Sequence, residues 1–126
     1  MDERAITGLI GVYDADGGLL GEAAYVWGKV RGTRHCSLCD ITHGTVRRKP
    51  EWDRMVAELG TPVDLVHLNE MPPDVRDAVA VCGAPVVLAR TVDGVHPLVL
   101  ADELDGLGGS VARLGELLRE RIRSAT

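Results

Sequence analysis

The stretch Gly83-Ala-Pro-Val-Val-Leu-Ala-Arg-Thr-Val-Asp-Gly-Val-His-Pro-Leu-Val-Leu100 decides the fold, because it combines two strand signals with a turn signal. Its apolar runs, Pro85 to Ala89 and Val95 to Leu100, are short and rich in valine, as strands are. Asp93-Gly94 between them is a strong signal for a β-hairpin. We therefore predict two adjacent antiparallel strands.

Two helices and a strand are predicted immediately before this hairpin. Apolar residues recur at helical spacing between Pro50 and Leu59, with proline in the first turn and Gly60 at the end. Val63 to Leu68 has the composition of a short strand. Met71-Pro-Pro-Asp opens a second helix, which we expect to reach Cys82 and to end at Gly83.

The two ends of the chain complete the predicted order of elements. Ile6 to Tyr13 is short and apolar, like a buried strand. The segment 17–31 has two interpretations, a helix from the spacing of its apolar residues or a hairpin whose second strand is Ala23 to Val30, and the helix is preferred. Apolar residues at helical spacing from Leu107 to Ile122 predict an amphipathic C-terminal helix.

Length and charge exclude several classes of protein. A chain of 126 residues is expected to form one domain, residues 1–126, with a substantial core. The net charge of −5, with no basic tract beyond residues 47–49, argues against binding to nucleic acid or to an anionic membrane. No apolar run approaches the length of a bilayer span, and the acidic N-terminus does not look like a signal peptide. We therefore expect a cytoplasmic protein.

The predicted order of elements resembles the thioredoxin fold. The most specific feature is Gly83-Ala84-Pro85 before the first hairpin strand, since thioredoxin-like proteins carry a cis-proline at this place beside the active site. The resemblance implies an α/β domain with a central mixed sheet of about four strands and helices on both faces.

A segment near the N-terminus resembles one particular group of thioredoxin-like proteins but lacks the cysteines of that group. Tyr13-Asp-Ala-Asp-Gly-Gly-Leu-Leu20 is similar to the Tyr-Asp-x-Asp-Cys-x-x-Cys opening of the DCC-type oxidoreductase-like proteins. Gly17 and Leu20 stand at the positions of the two cysteines. The resemblance implies that the usual active site is silent, although it could remain a ligand-binding crevice, and that the cysteines of this chain lie in an insert further along.

That insert is Cys36-Ser-Leu-Cys-Asp-Ile-Thr-His43, which holds two of the three cysteines. Two helical turns would bring Cys36, Cys39 and His43 to one face, since they stand at i, i+3 and i+7. Two thiolates and an imidazole suit a borderline or soft metal. We predict a metal site with these three ligands, with zinc as the default ion and copper(I) or an iron–sulfur cluster shared across a dimer as alternatives.

A tetrahedral ion would need a fourth ligand. Cys82 is the preferred ligand from within the chain, and His35, Asp40, His67, water or a second subunit are the alternatives. We predict that the metal-loaded protein either forms a homodimer through the Cys/His segment or keeps an exchangeable fourth ligand.

Two other functions fit the same segment. In a thiol–disulfide oxidoreductase, Cys36 would attack, Cys39 would resolve the mixed disulfide, and Pro85 would shape the substrate groove. In a module that only binds another protein, the cysteines would carry no chemistry. The sequence identifies neither the client nor the partner protein.

Overall fold

The computed structural model of the protein describes residues 5–13, 38 and 50–125. Over these residues the chain forms four strands and four α-helices, with a short 3-10 turn at Leu68–Glu70 after the second strand. In chain order the elements are β1 (Gly8–Val12), α1 (Pro50–Leu59), β2 (Val63–Val66), α2 (Pro73–Cys82), β3 (Val86–Thr91), β4 (Gly94–Val99), α3 (Ala101–Asp105) and α4 (Val111–Ala125).

The four strands form one mixed sheet in the order β2-β1-β3-β4. β1 runs parallel to β2, with Val12 opposite Val66, and antiparallel to β3, with Val12 opposite Val86. β3 and β4 form the predicted antiparallel hairpin, whose last pair is Thr91 with Gly94. The predicted α/β class and the four-stranded sheet are therefore confirmed.

Helices cover both faces of this sheet. Because successive strand residues point to opposite faces, Leu9 and Ile10 enter two different hydrophobic clusters. The first cluster joins β1, β3 and β4 to side chains of α1, α3 and α4, among them Trp52, Met55, Leu104, Leu114 and Leu118. In the second cluster Val75 of α2 packs against Ile10, Val12, Val86 and Leu88. The sheet thus divides the core into two layers.

Glycine and proline set several boundaries of these elements. The predicted C-terminal helix from Leu107 is wrong at its start, because Gly108 and Gly109 adopt positive φ angles of 61° and 75° and interrupt the helix. α4 begins only at Val111, where the Ser110 hydroxyl accepts a hydrogen bond from the Arg113 amide. The separate short helix α3 was not predicted.

The other boundaries match the predictions or differ from them by a few residues. α1 has the predicted bounds, whereas β2 ends at Val66 and α2 begins at Pro73. Pro85 is buried, and the Ala84–Pro85 peptide bond is cis, as the resemblance implies. The alternatives for segment 17–31 and the Gly17–Leu20 position lie outside the described residues. In the part of the chain that the structure describes, no helix combines the length and the apolar character needed to cross a bilayer.

Candidate functional site

Leu38 is the residue of the Cys36–His43 segment that the structure describes. Its side chain is fully buried and belongs to the first hydrophobic cluster, together with Tyr13 of the chain after β1 and Trp52 of α1. Cys36, Cys39 and His43 themselves lie outside the described residues. Leu38, the residue before the second cysteine, is thus anchored in the core on the sheet face that α1 and α4 cover.

The anchor point of Leu38 is β1. A Cβ placed on Gly11 would lie 3.3 Å from Leu38 Cδ2 and 2.8 Å from Leu65 Cδ2. Gly11 and Leu65 are neighbours in the parallel pairing of β1 with β2. The missing side chain of Gly11 therefore makes room for two leucines, one from β2 and one from the Cys/His segment.

Tyr13 and His67 stand just beyond the carboxyl ends of the two parallel strands. The Tyr13 amide donates to the Val66 carbonyl at 2.9 Å, and the rings of Tyr13 and His67 are 4.9 Å apart between centroids, tilted by 44°. Tyr13 is buried, whereas His67 is partly exposed. Since alternate strand residues share a face, Tyr13 follows Gly11 and His67 follows Leu65 on the face where Leu38 lies.

Glu70 holds the His67 imidazole in place. Its Oε1 atom is 2.6 Å from His67 Nδ1 and also accepts the His67 backbone N–H at 3.1 Å. These hydrogen bonds lower the pKa of Glu70 and so favour its carboxylate form. The bond to the His67 side chain has the larger effect, and the bond to the His67 backbone has the smaller one. A carboxylate on Nδ1 fixes the ring orientation and leaves Nε2 as the nitrogen for a ligand, which is how metal-binding histidines are held.

Cys82 lies on the other side of the sheet. It ends α2, is partly buried, and packs against the second hydrophobic cluster. Its Sγ is 3.5 Å from the Gly83 carbonyl oxygen, and burial raises the pKa of this thiol. The sheet therefore separates Cys82 from Leu38, and its predicted role as fourth ligand stays untested.

Other described groups add no second candidate. His96 of β4 is exposed. Across residues 5–13, 38 and 50–125, no group of three or more His, Cys, Asp or Glu side chains is placed to hold a metal ion. Comparison of the chain with models of known protein families, with curated proteins and with solved structures gave no match.

Sequence reasoning assigned His67 a place within a strand and missed its pairing with Glu70. The signal was present as His67-x-x-Glu70, a spacing that lets the carboxylate turn back onto the imidazole and its amide once the strand has ended. Because the predicted strand extended to Leu68, the turn at Leu68–Glu70 that brings Glu70 back to His67 was not predicted.

Proposed function

We propose that this is a cytoplasmic metal-binding protein with a thioredoxin-like fold, whose ligands include Cys36, Cys39 and His43. Zinc is the proposed ion, since two thiolates and one imidazole are ligands that zinc prefers and need no redox change. The single observation that supports the site most is the buried side chain of Leu38, midway through the cysteine pair.

The strand arrangement supports the thioredoxin-like part of the proposal. A parallel β1–β2 pair on one side of β1, and an antiparallel β3–β4 hairpin on the other, follow the order that the resemblance implies. Helices α1 and α4 on one face and α2 on the other complete the layers. Fold alone does not assign a function, so the proposed metal site depends on the chemistry of the donor residues.

Leu38 supports the metal site because it fixes the chain between the two thiols. A ligand pair binds more tightly when its backbone is held in place before the metal arrives, since less conformational entropy is lost on binding. A fully buried leucine opposes local unfolding of this segment. We propose that this anchor lowers the entropy cost of binding a metal at the two cysteines.

Elemental analysis of the protein purified under reducing conditions tests the proposal. We expect about one zinc ion per chain, as for a site of this donor set, and its loss in Cys36→Ser, Cys39→Ser and His43→Ala. His96→Ala is the matched histidine control, because His96 is exposed on β4, the edge strand furthest from β2. Wild-type protein without metal, or three variants that keep it, would refute the proposal.

A thiol–disulfide oxidoreductase is the second candidate, and the position of Pro85 favours it. Val12, the last residue of β1, pairs with Val86, the first residue of β3. The buried Pro85 therefore lies just before β3, at the same end of the sheet as Tyr13, which follows β1. In this function Cys36 and Cys39 would cycle between dithiol and disulfide, giving two electrons to a client disulfide or taking two electrons from a client dithiol. This function predicts a reversible Cys36–Cys39 disulfide and activity that His43→Ala leaves nearly intact.

A further inference from the structure

We infer that His67 and Glu70 form a carboxylate–imidazole pair that acts as a general base at the carboxyl ends of β1 and β2. Its substrate is a molecule that presents a hydroxyl or thiol proton to His67 Nε2, with water as the simplest case. This role is independent of the proposed metal site, because it needs only residues within the described part of the chain.

His67 lies at the end of the sheet where α/β proteins usually bind small molecules. It directly follows β2, and Tyr13 directly follows the neighbouring parallel strand β1. The chain passes at His67 from one face of the sheet to the other, since Leu65 packs against the first cluster and Leu68 against the second. Ligands of such sheets typically bind outside the carboxyl ends of the parallel strands. A substrate bound in this region would therefore meet the His67 imidazole.

The Glu70 carboxylate determines which nitrogen of the imidazole can accept a proton. Its Oε1 atom is 2.6 Å from His67 Nδ1, and the lowered pKa of Glu70 favours the ionised carboxylate. Because a carboxylate only accepts hydrogen bonds, Nδ1 has to donate and carries the proton of the neutral imidazole. The lone pair is then on Nε2, which is the state of a histidine that works as a general base.

The surroundings of the ring hold it in place and leave Nε2 accessible. Glu70 also accepts the His67 backbone N–H at 3.1 Å, and the Tyr13 ring packs against the imidazole at a centroid distance of 4.9 Å. The His67 side chain is 22 % exposed, and within the described residues only Glu70 forms a hydrogen bond or ion pair with its ring. An imidazole that is fixed and still open needs little reorganisation to take a proton from a bound substrate.

The proton transfer follows from this arrangement. Nε2 takes the proton of the substrate hydroxyl or thiol, whose bonding electron pair stays on oxygen or sulfur and makes that atom a stronger nucleophile. The resulting imidazolium is stabilised by the Glu70 carboxylate, which orients the ring without taking the proton itself. The proton then returns to the leaving group or to solvent. His67 is thus the catalytic residue of the pair, and Glu70 is a positioning residue.

Nitrogen-15 NMR of the histidine rings in wild-type protein tests the protonation state directly. At pH 8, where imidazoles are generally neutral, we expect His67 to carry its proton on Nδ1 and none on Nε2, with the signals assigned by their absence in His67→Gln. Glu70→Ala should give a mixture of the two tautomers. Glu116→Ala, at an exposed position of α4, is the matched carboxylate control and should match the wild type. A wild-type His67 protonated on Nε2 would overturn the inference.

Diethyl pyrocarbonate, which acylates an unprotonated ring nitrogen of histidine, tests the reactivity of Nε2. Peptide mass spectrometry gives the rates for His67 and the exposed His96 in the same sample. Although His67 is the less exposed residue, we expect it to react at least as fast as His96. Glu70→Ala should slow His67 alone by several-fold, because the ring loses its orientation. A slower reaction at His67 than at His96, or a rate that Glu70→Ala leaves unchanged, would contradict the inference.

Hydrolysis of p-nitrophenyl acetate in the presence of a chelator tests the base itself. Nε2 takes a proton from water as the water oxygen bonds to the acetyl carbon, p-nitrophenolate leaves, and acetate is formed. We expect steady turnover that falls at least about 10-fold in His67→Gln and less in Glu70→Ala, while His96→Gln keeps the wild-type rate. Thiol reactions are common to all these variants and cancel in the comparison. Wild-type turnover in His67→Gln that is folded by circular dichroism would refute the role, and metal content, measured separately, decides the proposed metal site.

Discussion

The Leu38 side chain occupies the space that Gly11 leaves above β1, where a Cβ would come within 3.3 Å of Leu38 Cδ2. This contact joins Leu38 of the Cys/His segment to β1, which is a central strand of the sheet. It links a structural position in the core to the proposed metal site, since Leu38 stands between Cys36 and Cys39 in the chain. Substitutions at either residue therefore test both stability and metal binding.

Gly11→Ala should destabilise the protein by about 1–3 kcal/mol, because the added methyl group forces Leu65 or Leu38 to move in a packed core. Urea unfolding of the metal-free protein measures the change. Gly8→Ala in the same strand is the matched control, since its Cβ would meet only the Pro62 carbonyl oxygen at 3.7 Å. There the lower chain entropy of alanine should leave stability unchanged or slightly raised. Equal effects of the two substitutions would refute the Leu38 packing.

Leu38→Ala should lower the free energy of unfolding by about 2–5 kcal/mol, because it removes a fully buried leucine side chain and leaves a cavity. Leu100→Ala is the matched control, since Leu100 is 43 % exposed. If the anchor holds the cysteine pair in place, Leu38→Ala should also weaken zinc binding at a temperature where the variant is still folded. An effect no larger than that of Leu100→Ala would show that Leu38 is not part of the core.

Glu103 and Arg121 should make stability dependent on pH. The hydrogen bond from the Arg121 guanidinium is the main cause that lowers the pKa of Glu103 below its usual 4.5, and the hydrogen bond from the Leu100 amide lowers it further. A carboxyl whose pKa is lower in the folded than in the unfolded protein stabilises the fold at a pH above the unfolded-state pKa. This stabilisation is lost as the pH falls through the folded-state pKa. Both side chains are about one-third exposed, so the contribution is about 1 kcal/mol or less.

Urea unfolding at pH 7 and near pH 3 measures this contribution. Glu103→Gln keeps an acceptor for the Leu100 amide while removing the charge, so the variant should lose less stability on acidification than the wild type. Glu116→Gln, at an exposed position of α4, is the control and should follow the wild-type curve. If Glu103→Gln has the wild-type pH dependence, the ion pair contributes nothing measurable.

Cys82 should react slowly with iodoacetamide in the folded protein, because burial raises the pKa of its thiol and reduces the thiolate fraction. Timed alkylation near pH 8, followed by peptide mass spectrometry, gives its rate in folded and urea-unfolded protein. We expect at least several-fold slower labelling in the folded state. Equal rates would mean that the end of α2 does not pack against the sheet as described.

Much of the fold follows from local patterns in the sequence. The turn at Asp93-Gly94 predicted the β3–β4 hairpin, and the spacing of Trp52, Met55 and Leu59 predicted α1 with its observed bounds. The prediction of a helix from Leu107 to Ile122 rested on the apolar spacing and took no account of Gly108 and Gly109. Their positive φ angles at 108 and 109 set the start of α4.

The candidate site was less predictable, because it depends on which faces of the sheet carry which residues. Spacing identified Cys36, Cys39 and His43 as a donor set, but it could not place Cys82 and Leu38 on opposite faces. That separation follows from the register of β1 with β2 and from the packing of α2, which are properties of the assembled sheet. The His67–Glu70 pair likewise depends on the end of β2 at Val66.

Native mass spectrometry of the protein purified under reducing conditions tests the central claim most directly, since it reports metal, disulfide and oligomeric state in one spectrum. We predict one zinc ion per chain with all cysteines reduced, and metal-free protein for Cys36→Ser, Cys39→Ser and His43→Ala. A metal-free wild-type chain, or one whose mass shows a Cys36–Cys39 disulfide in place of zinc, would contradict the claim.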